Sequence, residues 1–96
     1  MLIEWVPAAR VELRQIIEYL SHRNPIAALE LKRSIESSVL ALSRRPHLYR
    51  PGRVIGTREM VVHPNYLVVY KVTDNIRVLS VLHALPAISL IGQLFR

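Results

Sequence analysis

A chain of 96 residues, 51% of them hydrophobic, has enough for one core and leaves no room for a second domain with a linker, so residues 1–96 are expected to form a single domain. It contains no cysteine, which excludes disulfides and thiolate metal sites as supports for that core and agrees with a reducing cytoplasm. Thirteen Lys and Arg against seven Asp and Glu leave a net charge of +6, which points either to a nucleic acid, acidic protein or nucleoprotein partner or to solubility alone.

In chain order, Leu2 to Val6 carry β-prone side chains and stop at Pro7, which suits a short strand. Neither a basic lead nor a long apolar run opens the chain, and no stretch approaches the roughly 20 residues of a membrane span; a cytoplasmic protein that does not enter the membrane is expected. Pro7 then opens a helix in which Leu13, Ile16, Ile17 and Leu20 recur at helical spacing, ending near His22. Asn24-Pro25 starts a second helix, because the Asn side chain can cap free N–H groups and a proline at the first position sacrifices no hydrogen bond. Its apolar stripe is Ala28, Leu31, Ile35, Val39 and Leu42, and the short connection predicts an antiparallel helical hairpin.

Beyond Pro46, turn signals at Pro51-Gly52 and Gly56-Thr57 precede three β-rich runs, Arg58 to His63, Tyr66 to Val72 and Ile76 to His83. The predicted fold is α+β, in the order β-α-α-β-β-β, with one further short strand near Arg53 to Ile55. An antiparallel sheet packs against the N-terminal helical hairpin, and the first strand joins its edge. The Tyr66 to Val72 run is apolar on both faces, with Leu67 and Val69 opposing Val68, Tyr70 and Val72. In the last run, strict alternation sets Ile76, Val78 and Leu82 against Leu79 and Val81. Two helices cover one face of a sheet, so the other either meets a partner or is closed by curling of the sheet itself.

No phosphate loop, HExxH, CxxC or G-x-S-x-G signature is present. The four histidines, His22, His47, His63 and His83, are too far apart in sequence for a local metal motif, so neither metal nor cofactor is expected. The run from Arg45 to Val72, RPHLYRPGRVIGTREMVVHPNYLVVYKV, followed by VLSVLHA from Val78 to Ala84, resembles the ParE/RelE toxin superfamily. Trp5 in the opening strand, Asn24-Pro25 with Ala27-Ala28, and Leu42 with Pro46 extend the likeness over nearly all of the chain up to Ala84.

That resemblance implies the toxin of a type II toxin–antitoxin system, neutralised by a small antitoxin whose C-terminal segment folds onto it. The antitoxin complex is expected to be hetero-oligomeric and to bind operator DNA through the antitoxin. RelE-like members cut messenger RNA in the ribosome; ParE-like members inhibit DNA gyrase. The RelE chemistry needs cations for the phosphorane-like transition state together with an acid–base pair. Where RelE-like enzymes carry those groups, this chain has Arg58, Met60, Leu67, Ala84 and an apolar tail. Arg58 and His83 are thus the weak catalytic candidates, with His63 read as a turn residue. The GTRE and HPNY-x-VVY strings resemble the ParE branch, whose poison needs a binding surface and no catalytic pocket.

For that surface the candidates are Arg44, Arg45, Arg50, Arg53 and Arg58, either a patch for acidic protein or DNA or a solvated loop. Leu67, Val69, Tyr70, Leu79 and Val81 are the candidates for antitoxin contact. The expected antitoxin segment is acidic and orders on binding. One departure from the ParE pattern is residues 85–96, LPAISLIGQLFR, where Ile88, Ile91 and Phe95 share a helical side in place of a basic ending. A ribosome-dependent nuclease, or a toxin fold that has lost its poison and retains antitoxin binding, are the alternative functions.

Overall fold

The computed structural model describes residues 1–84. Strand β1 spans Ile3–Trp5 and leads into helix α1, Pro7–Ser21, and helix α2, Pro25–Ala41; β2 (Arg50–Pro51), β3 (Arg58–His63), β4 (Tyr66–Val72) and β5 (Ile76–His83) follow. Pro7 occupies the first turn of α1 and no side chain caps that end, so the free Val6 carbonyl anchors the turn by accepting from Ala9 and Arg10. At the other end the Arg23 and Asn24 N–H groups both return to Leu20 O. Asn24 then caps α2, its Oδ1 accepting from the Ala27 N–H at 3.1 Å.

The sheet order is β1-β5-β4-β3-β2. The meander from β2 to β5 is antiparallel, as expected, but β1 runs parallel to β5, so the sheet is mixed. The cause is geometric: β2 enters opposed to β1, and three reversals return β5 to the direction of β1. The extra strand also differs from expectation, lying at Arg50–Pro51 instead of Arg53 to Ile55. Residues 53 to 56 form the turn that follows, with Gly52 N–H donating to Thr57 O at 2.7 Å and Gly56 at φ +85°.

The helical stripe of α2 is buried throughout, with Ala28, Leu31, Ile35, Val39 and Leu42 at or below 5% exposure. Against it pack Met60, Val68, Tyr70, Ile76, Val78 and Val81 of the sheet. Helix α1 contributes fully buried Ala9, while Leu13, Ile16, Ile17 and Leu20 are half-buried against the same core. Alternation fails in β5: Val69 pairs with Ser80 but Tyr70 with Val78, so the pairing skips Leu79. This bulge switches the strand's parity and places Val81 with Ile76 and Val78 on the helix side, a correction to the alternating pattern. No helix among the described residues is long and apolar enough to cross a membrane. The apolar stretch with Ile88, Ile91 and Phe95 lies outside the described residues.

Candidate functional site

The five candidate arginines come from the segment joining α2 to β3, and the structure divides them. Glu59, on β3 and 5% exposed, receives the Arg53 backbone N–H and Nε on Oε2, both at 3.1 Å, and Arg50 Nη2 on Oε1 at 3.3 Å. Burial by itself would raise the Glu59 carboxyl pKa; the Arg53 N–H, the Arg53 guanidinium and the Arg50 charge outweigh it and hold the pKa below its ordinary value. Arg58 directs Nη1 to the carbonyls of Tyr49 at 2.6 Å and His47 at 3.2 Å. Beside it the buried Tyr70 hydroxyl donates to Pro46 O at 2.8 Å, and burial pushes the phenol pKa up. Arg50, Arg53 and Arg58 therefore stitch the segment to the sheet, whereas Arg44 and Arg45 are exposed and form no ion pair among the described residues.

This stitching holds out a feature that the sequence reading missed. Val54 and Ile55, at the tip between β2 and β3, are 68% and 99% exposed. The Val54 carbonyl accepts from both the Thr57 N–H at 3.1 Å and the Thr57 hydroxyl at 2.6 Å, so the turn carries its aliphatic tip on a fixed backbone. The sequence signal there is a β-branched pair flanked by Arg53 and Gly56, which favours a strand as much as a turn tip.

The histidine candidates gather elsewhere. Tyr66 lies 5.7 Å from the His63 ring and 5.1 Å from the His83 ring, centroid to centroid. His63 is the last residue of β3, at the edge of the turn, and not a residue of the turn itself; its Nδ1 accepts from the Asn65 N–H at 3.1 Å across that turn. Arg58 pairs with Tyr70 and His63 with Tyr66, so Arg58 and the histidines stand at opposite ends of β3, roughly 16 Å apart along the strand at ~3.3 Å per residue. Arg58, His63 and His83 do not converge. Met60 and Leu67, in the places of nuclease cations, are each 1% exposed.

Of the residues read as antitoxin contacts, Tyr70 and Val81 lie in the core between sheet and helices. Leu67 is buried too, while Val69 and Leu79 are half-buried. Val61, paired with Leu67 across β3 and β4, is 52% exposed. A more open apolar surface lies at the other sheet edge, where β1, α1 and α2 enclose a groove of about 580 Å³. Ile3, Trp5, Leu13, Ile17, Val39 and Leu40 line it together with Arg10, Arg14, Lys32, Glu18 and Glu36. Leu13 and Ile17, part of the apolar repeat of α1, pack against the core and stay half-buried, while Arg10, Arg14 and Glu18 of the same helix are exposed.

Solved structures share this architecture. A chain of the "Chromosomal ParDE TA system from P. aeruginosa" superposes with a TM-score of 0.79 over 86% of this chain and 95% of its own, at 22% identity. The "YoeB/ParE toxin from Agrobacterium tumefaciens" gives 0.64 over 86% and 98%, at 13% identity. These likenesses establish the fold. In sequence, a curated protein of Sinorhizobium fredii (strain NBRC 101917 / NGR234) named "Putative toxin Y4kP" is 34% identical over 83 residues, 85% of this chain and 86% of that protein. The model of the family described as "ParE toxin of type II toxin-antitoxin system, parDE" matches residues 3–85. A two-helix hairpin on a five-stranded sheet, matched along nearly its whole described length by that family, makes this chain a member of the ParE toxin family of type II toxin–antitoxin systems.

Proposed function

We propose that this toxin arrests growth by docking onto DNA gyrase, without cutting RNA, and that a cognate antitoxin neutralises it. The observation that carries the reading is the separation of Arg58 from His63 and His83, with Arg58 already committed to two backbone carbonyls. Phosphoryl chemistry needs cation, acid and base within reach of one phosphate. Here the histidines flank a tyrosine, and the neighbouring positions of the RelE pattern are the buried, apolar Met60 and Leu67. The basic segment around Arg44 and Arg45 supports attraction to an acidic protein or nucleoprotein.

The groove between β1, α1 and α2 suits the antitoxin. Its floor is aliphatic and aromatic, and Arg10, Arg14 and Lys32 outnumber Glu18 and Glu36 along it. An acidic amphipathic segment would bury its apolar side there and set its carboxylates against the basic rim. Gyrase supercoiling with purified toxin, with and without antitoxin, tests the whole reading: supercoiling should fall with toxin alone and recover with antitoxin. Unchanged supercoiling at saturating toxin, or new ends in ribosome-bound messenger RNA, would remove it.

A further inference from the structure

We infer that the Val54-Ile55 tip is the apolar anchor with which this toxin grips its target, and that the target offers an aliphatic pocket with an acidic rim on a protein surface. The inference rests on the docking function proposed above and deepens it by naming the contact. Ile55 is 99% exposed and Val54 68% exposed, side by side at the end of a turn. Moving water-exposed β-branched side chains into an apolar pocket is favourable, so a partner that offers such a pocket gains by accepting them. Their backbone is already fixed: Thr57 holds the Val54 carbonyl by two hydrogen bonds, Gly52 N–H closes on Thr57 O, and Glu59 clamps Arg53 from below. A tip fixed in this way has little ordering entropy left to lose on binding.

Charge and geometry select the class of partner. The segment from Arg44 to Arg58 contains five arginines and no acidic residue, and among the described residues Glu59 alone forms ion pairs with it. The rim it meets should therefore be acidic. Duplex DNA is the weaker fit, because phosphate recognition calls for free arginine forks. At the tip, Arg53 Nε and Arg50 Nη2 are occupied by Glu59, and Arg58 by two carbonyls. Arg50 and Arg53 stay part-exposed with one edge of each fork taken by Glu59, and what projects beyond them at the tip is aliphatic.

The test compares wild type with Val54→Ser/Ile55→Ser and with Ile55→Ser alone, using Ile26→Ser as control because Ile26 is 72% exposed on α2, away from this turn. Binding to purified gyrase should weaken by about ten- to hundred-fold in the double variant and stay unchanged in the control, all four proteins keeping the same thermal midpoint. Equal binding by wild type and double variant overturns the inference while leaving gyrase as target. If wild type does not bind gyrase, the gyrase reading fails and growth arrest on induction without antitoxin decides. Arrest lost in the double variant but kept in the control then sustains the tip; equal arrest, or none from wild type, overturns it. Retention of a DNA duplex by wild type that disappears in the double variant would overturn the protein partner.

Discussion

The Glu59 carboxylate receives both the backbone N–H and the side-chain Nε of Arg53 on one oxygen, each at 3.1 Å, so a single buried residue of β3 sets the course of the turn six residues upstream. The second oxygen takes Arg50. Replacing Glu59 by Gln removes the charge and leaves at most one acceptor oxygen for three donors. The expected loss is about 1–3 kcal/mol of unfolding free energy, measured by urea denaturation.

The same residue has a pH signature. Its folded pKa lies below the ordinary 4.5, so its stabilising effect is complete above that pH and is lost as the pH falls from 4.5 through the folded value. Stability of wild type should therefore decline on acidification through this window more steeply than that of Glu59→Gln. Parallel acid arms for the two proteins would show that the Arg50 and Arg53 contacts do not persist in solution.

Tyr70→Phe deletes the hydroxyl that ties the sheet to Pro46 O across 24 residues of chain. A cost of about 0.5–1.5 kcal/mol is expected, with faster amide exchange in residues 46 to 50 and little change around α1. Uniform exchange in both regions would contradict the role assigned to this bond.

Trp5 is the single tryptophan and lines the groove between β1, α1 and α2. Titration with an antitoxin C-terminal peptide should shift its emission to the blue as water leaves the indole. Leu40→Asp, at a position 68% exposed on the same groove, should raise the Kd at least about ten-fold without unfolding the protein. Saturable peptide binding with unmoved emission would place the antitoxin elsewhere, with the face around Val61 and Val69 as the remaining apolar option.

His63→Ala/His83→Ala should leave growth arrest unchanged, since these rings meet Tyr66 and no cation of the RelE pattern. The readout is colony survival after induction without antitoxin. Survival of the double variant alongside lost message cleavage would restore the nuclease.

Much of this was legible in the linear chain because the signals are local. Pro7, Asn24-Pro25 and the stripe from Ala28 to Leu42 depend on periodicity and capping within a few residues, and they define the hairpin as observed. The family likeness was equally legible, since it rests on residue identities along the strands. What remained hidden depends on pairing across the sheet. The skipped Leu79 moves Val81 into the core, and the strand at Arg50–Pro51 frees Val54 and Ile55 to form a tip. Five arginines looked alike in sequence, yet Glu59 and the carbonyls of His47 and Tyr49 engage three and leave Arg44 and Arg45 outside any ion pair among the described residues. Composition and spacing determine which segments bury themselves. Only the folded backbone, by fixing register and bringing a carboxylate within 3.1 Å of a chosen guanidinium, determines which side chains are left to meet another molecule.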